Sequence, residues 1–149
     1  MQKKQVLRSA AATLGMSMAL ATAQIATAAT PHAVAGPKVS ITIQGKTKKL
    51  LATETVQGRA GSITRGGAPA GKCPADSAQG ALNVATHGHW KGKWYASYSE
   101  YFITGILGDN ETTKKYYWGL YVNGKLASKG ACQIKLKSGD RLLFKVTKG

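Results

Sequence analysis

A period-two alternation runs through the C-terminal third of the chain and limits what it can fold into. Trp118, Leu120 and Val122 alternate with Tyr117, Gly119 and Tyr121, and Asn123-Gly124 follows directly. Successive side chains of a strand point to opposite faces, so this run predicts a strand with one buried face. Asn-Gly tolerates positive φ at both turn positions and predicts a hairpin. The alternation recurs at Cys132, Ile134 and Leu136, and after the turn Ser138-Gly139-Asp140 it recurs at Leu142, Phe144 and Val146. Upstream, Val39, Ile41 and Ile43 alternate with Ser40, Thr42 and Gln44. Residues 48–56 read as a second strand and Tyr101–Ile106 as another extended, apolar stretch. Residues 58–71, rich in glycine, read as a loop.

One segment follows a different period. Ala78, Ala81, Leu82 and Ala85 fall at i, i+3, i+4 and i+7, which is one face of a helix. The spacing predicts a helix over 76–87, capped by Asp76 with Gln79 completing the box and stopped at Gly88. An alanine-rich face lets a helix approach closely, so large sheet residues must supply the volume. The expectation is that Trp118, Leu120, Phe144 and Val146 face that helix, with Leu82 its most buried side chain. Strands on either side of one helix bury their apolar faces by packing it on a sheet. The predicted fold class is α+β: a single small domain with a β-grasp-like antiparallel or mixed sheet and one helix packed on it.

The N-terminus reads as a targeting segment. Lys3, Lys4 and Arg8 precede a small-residue apolar run from Ala10 to Ala23, and Ala26-Thr27-Ala28 offers a cleavage site. This layout predicts a secretory signal peptide over 1–28, then a flexible lead-in over 29–37 and the folded domain over 38–149. The expected location is secreted, extracellular or at the cell surface, with no integral membrane segment after cleavage. Cys73 and Cys132 are the two cysteines of the chain. In an oxidising compartment they are expected to form a disulfide.

Charge and residue type narrow the function. The chain has 21 basic and 6 acidic residues, a formal charge of +15. The basic residues are scattered, and such a charge attracts anionic polymers. No catalytic motif is present, Glu100 and Asp109 are separated by an apolar strand, and oxidised cysteines are not nucleophiles. An enzyme is therefore not expected. His87-Gly88-His89 lacks nearby cysteine or acidic partners, so neither a metal nor a cofactor is expected. Trp90, Trp94 and Tyr98 interleave with Lys91 and Lys93, and Tyr117 and Tyr121 flank Gly119. These five aromatics, Trp90, Trp94, Tyr98, Tyr117 and Tyr121, are the candidate ligand-binding residues. The competing reading is that they fill the core of a small domain.

Tyr101–Gly108, Tyr117–Gly124, Gly130-Ala131-Cys132 and Leu136–Phe144 together resemble the transcobalamin-like C-terminal domain family. The resemblance spans roughly residues 39–147. It implies a β-grasp-like module of secreted or surface-borne bacterial proteins, and by resemblance only a cobalamin-type ligand. The resulting expectation is a secreted, non-catalytic ligand-binding module. The alternative is a basic cell-surface or cell-wall domain that binds anionic polymers. The partner is an unknown small molecule or an anionic surface polymer, not a specific nucleic acid.

Overall fold

The computed structural model describes residues 35–64, 71–110 and 112–149. The expected signal peptide and most of the lead-in lie outside the described residues. The strands are β1 (Lys38–Gln44), β2 (Lys49–Gln57), β3 (Ser62–Thr64), β4 (Lys72–Pro74), β5 (Trp90–Tyr95), β6 (Glu100–Ile106), β7 (Tyr116–Val122), β8 (Lys125–Leu126) and β9 (Arg141–Lys148). One helix, α1 (Ala78–Ala85), follows β4, and 3-10 turns form at Ala96–Tyr98 and Ala131–Gln133.

Five strands make a mixed sheet in the order β2-β1-β9-β7-β8. β1 and β9 are parallel and the other pairs antiparallel. The alternation sets the register: Ile41 lies opposite Leu142, Ile43 opposite Phe144, Leu120 opposite Phe144 and Trp118 opposite Val146. These side chains share one face and all are buried. A slip of one residue would turn every one of them to solvent, so burial fixes the pairing. Asn123 and Gly124 form the β7–β8 turn with φ of 51° and 85°. The Asn123 side chain also accepts from the Arg141 N–H at 2.9 Å and donates to Asp140 at 2.9 Å, tying the hairpin to the start of β9.

The helix differs from expectation at both ends. Ser77, not Asp76, is the cap: its Oγ accepts from the Gly80 N–H at 3.2 Å. Asp76 instead pairs with Lys135 at 3.6 Å. Gln79 is fully buried rather than reaching back to the cap. At the other end Gly88 donates to Asn83 and His87 to Val84, a Schellman closure with His87 in the left-handed region. As expected, Leu82 is fully buried, beside Ala78 and Ala81.

Three further readings need correction. Within 58–71, Ser62–Thr64 is a strand, paired with β4 through Ile63 and Cys73. The expected strand at Cys132–Leu136 is a 3-10 turn followed by an isolated bridge from Lys135 to Ser77. Its polar groups serve the helix start, with Ala78 donating to Ile134 and Leu136 donating to Asp76. Finally, α1 packs chiefly on β1, β2, β4 and the second 3-10 turn, while β6 approaches β7. The helix thus covers the Ile41 and Ile43 side of the sheet, and the β5–β6 ribbon takes the place above Trp118. Cys73 and Cys132 are bonded, with Cα atoms 5.1 Å apart. Among the described residues, no helix is long and apolar enough to cross a membrane.

Candidate functional site

The β5–β6 ribbon has two unlike faces. Trp90 and Trp94 alternate with Lys91, Lys93 and Tyr95, and Trp94 lies opposite Tyr101. Inward, Tyr101 meets the edges of both tryptophans, with ring centroids 5.1 Å from Trp90 and 4.9 Å from Trp94. The Tyr101 hydroxyl donates to the Gly71 carbonyl at 2.8 Å, and the Trp90 indole donates to the Asn83 side chain at 2.9 Å. Gly71 must be glycine, because a Cβ there would enter the Trp94 ring. Outward, Phe102 lies opposite Lys93, Tyr95 packs edge-on to Phe102, and the Lys93 ammonium stands 5.2 Å from the Tyr95 ring.

Between this ribbon and the β7–β8 hairpin lies a cleft of about 580 Å³. Tyr95, Tyr98, Tyr101, Phe102 and Ile103 form one wall, Tyr117 to Leu120 a second, and the connection from Leu126 to Ala131 a third. Among the described residues, the large hydrophobic side chains left exposed are Tyr95 (39%), Tyr98 (69%), Phe102 (47%) and Leu126 (50%). All four line this cleft. Scattered exposed hydrophobics are ordinary, but here they gather in one concavity.

Glu100 also lines the cleft. Its carboxylate accepts from the Tyr101 N–H at 3.0 Å and from the Cys132 N–H, with both oxygens 3.0–3.1 Å from that nitrogen. Burial pushes its pKa above the ordinary carboxylate value, and these N–H groups act in the opposite direction without cancelling the shift. Gly130 makes the arrangement possible, since a Cβ at that position would occupy the carboxylate's place. The Gln133 side chain donates to the Tyr98 carbonyl at 2.7 Å and joins the ribbon tip to the second 3-10 turn.

The structure separates the five expected aromatics. Tyr98 and Tyr117 line the cleft. Trp90 is 1% exposed and belongs to the core, with Trp94 packed against it. Tyr121 is half-buried opposite Leu126. The slot expected over Gly119 is filled from within the chain: Thr147 Oγ1 lies 2.7 Å and Leu126 Cδ1 3.5 Å from where a Cβ would stand. Sequence reasoning missed Phe102, Leu126 and Lys129 as cleft-lining residues, and weighed Glu100 only as a catalytic carboxylate. The signal for Phe102 was present, because alternation with Tyr101 and Ile103 puts it on the outward face. His87 and His89 sit at the helix end, where the His89 Nδ1 lies 2.9 Å from the Thr86 carbonyl. Among the described residues, no group of three or more His, Cys, Asp or Glu could hold a metal ion.

The fold and cleft describe a small α+β domain with a mixed sheet. A family described as a domain of unknown function, DUF4430, matches residues 79–148. Haptocorrin in complex with Cbi is similar in structure, with a TM-score of 0.54 at 16% identity over 75% of this chain. The chain spans 25% of the haptocorrin chain. A protein of Ruminococcus gnavus ATCC 29149, described as a "putative metal binding protein", has a TM-score of 0.49 at 16% identity, covering 76% of this chain and 98% of that one. No curated protein matches.

Proposed function

We propose that this chain is a secreted, non-catalytic binding module whose ligand sits in the aromatic cleft between the ribbon and the β7–β8 hairpin. The observation that carries the reading is the gathering of Tyr95, Tyr98, Phe102 and Leu126, all exposed, around one concavity. Aromatic faces give large contact area at low entropic cost. The Cys73–Cys132 bond supports an oxidising, extracytoplasmic setting. The sheet order with β1 and β9 parallel at its centre supports a β-grasp arrangement. Glu100 is held by backbone N–H groups and the cysteines are oxidised, which supports binding rather than catalysis. A cobalamin-type ligand follows from the resemblance and is the first to test.

The experiment is a thermal-shift screen of the secreted protein against a small-molecule panel that includes cobalamin and Cbi. It is repeated on a Tyr98→Ala/Phe102→Ala variant. A ligand at 100 times its Kd stabilises the folded state by about 2.7 kcal/mol. The expected result is a saturable shift that the double variant loses. A shift of equal size in both proteins would place the site elsewhere.

A second reading, adhesion to an anionic polymer, has its own observation. Lys135, Lys137, Arg141, Lys145 and Lys148 are all exposed. Retention on whole cells that falls steeply with salt and ignores the double variant would favour it.

A further inference from the structure

In the second wall of the cleft the β7 edge is open at Trp118, between the Thr113–Tyr116 bridge and the Ala127–Leu120 bond. Along β7, odd-numbered residues turn their N–H and C=O toward β9. Gly149 donates to Lys115 and Asn123 donates to Arg141, marking the two ends of that alternation. Even-numbered residues face the other edge. There Tyr116 exchanges both bonds with Thr113, Leu120 accepts from Ala127 at 2.8 Å, and Val122 pairs with Lys125. Between them, the Trp118 N–H and C=O and the Leu120 N–H meet no partner among the described residues. Trp118 and Leu120 both line the cleft. The Trp118 side chain is itself 7% exposed, and its indole Nε1 has no hydrogen-bond partner among the described residues.

The reason for the gap lies in β8. That strand has two residues, and pairing ends at Ala127. Residues 128–130 then leave β7 for the 3-10 turn, where Cys132 is held by Cys73 and by Glu100. The cleft lies in the lane that a longer β8 would fill.

We propose that this cleft takes an extended, acidic segment of another polypeptide, which pairs backbone to backbone with Trp118 in the gap that β8 leaves between Ala127 and Thr113. The proposal rests on the reading of the cleft as the binding site and names the class of its ligand. Backbone donors and acceptors on a strand edge are matched by another backbone, and strand addition uses such edges. Alternate side chains of the added segment would meet the Tyr98 and Phe102 rings. Charge selects an acidic segment. Lys129 lines the cleft, Lys125 is exposed on β8, and Lys93 stands over Tyr95, while Glu100 is already engaged by backbone N–H groups.

The test pans a displayed library of random heptapeptides against the disulfide-bonded secreted protein. Enrichment of acidic sequences is expected. A synthetic copy of the enriched peptide should bind about tenfold more weakly when a single backbone N–H facing β7 is methylated, the loss of one hydrogen bond. Binding should slow hydrogen exchange at the Trp118 and Leu120 amides, and Lys129→Glu should weaken it. No enrichment, or binding indifferent to N-methylation at every position, overturns the proposal. The two readings fail differently. If the cleft still binds a small molecule in a manner sensitive to Tyr98→Ala/Phe102→Ala, only the peptide assignment falls. If peptides and small molecules alike ignore that variant, the cleft is not the site.

Discussion

Leu82→Ala is the sharpest test of how the domain is held together. Leu82 is fully buried, and its neighbours on the same helical face are Ala78, Ala81 and Ala85. Truncation removes three carbons, about 2.4 kcal/mol of transfer free energy at ~0.8 kcal/mol per methylene. Alanine side chains have no rotamers with which to swing into the void, so part of the cavity persists. At ~24 cal/mol per Å³, an unfilled volume of about 50 Å³ adds ~1 kcal/mol. The expected loss is therefore about 3–4 kcal/mol, large against the ~5–15 kcal/mol that holds a typical domain. At roughly 4 °C per kcal/mol, the midpoint should fall by about 12–16 °C. Calorimetry of the disulfide-intact protein measures it, with Lys125→Ala, an exposed position in the β7–β8 hairpin, as control. If Leu82→Ala moves the midpoint no further than Lys125→Ala, the helix-on-sheet core is wrong.

Three other outcomes are expected. Replacing Cys73 and Cys132 together by serine opens a loop with a sequence separation of 59 and should cost about 4 kcal/mol on the chain-entropy account; chemical unfolding that is unchanged by the replacement would contradict it. Ser77→Ala should lose ~1 kcal/mol of helix capping, whereas Asp76→Ala, which breaks a pair with an exposed lysine, should lose less, and the opposite ranking would restore Asp76 as the cap. Glu100 should make stability depend on pH. Its pKa is raised in the folded state, so the folded protein binds the proton more tightly than the unfolded chain. Its contribution is fully present below the ordinary carboxylate pKa and is lost as pH rises through the raised value. Glu100→Gln should flatten that slope in urea titrations across mildly acidic pH, and an unchanged slope would assign the dependence to another group.

The central strands were legible because each has one buried face and chemically explicit turns. Val39 to Ile43, Trp118 to Val122 and Leu142 to Val146 appear where the alternation places them. The misreadings share a cause, which is a partner distant in sequence. Asp76 and Ser77 are adjacent and both have capping chemistry; the Ser77 Oγ takes the Gly80 N–H, while the Asp76 carbonyl accepts from Leu136 and its carboxylate pairs with Lys135. Cys132, Ile134 and Leu136 have the alternation of a strand. Their backbone groups are taken by Glu100, Ala78 and Asp76, so no ladder forms.

The candidate site was half legible, and the missing half has a topological origin. Residue type pointed to the aromatic ribbon, but period should have divided it, since Trp90 and Trp94 share a face that Tyr95 does not. No local pattern announces the far wall. It exists because β8 stops after two residues, and β8 stops because the chain must reach Cys132, where the disulfide and the Glu100 carboxylate fix the 3-10 turn. The Gly130 backbone lies against that carboxylate too closely for any side chain. The contacts that fix this connection therefore also hold the cleft open beside Trp118. Weakening them gives residues 128–130 the freedom to fall back onto β7 and pair with the Trp118 N–H and C=O. On this view the Glu100 carboxylate and the Cys73–Cys132 bond act as spacers as well as staples. Their loss would then close the edge, even in molecules that remain folded.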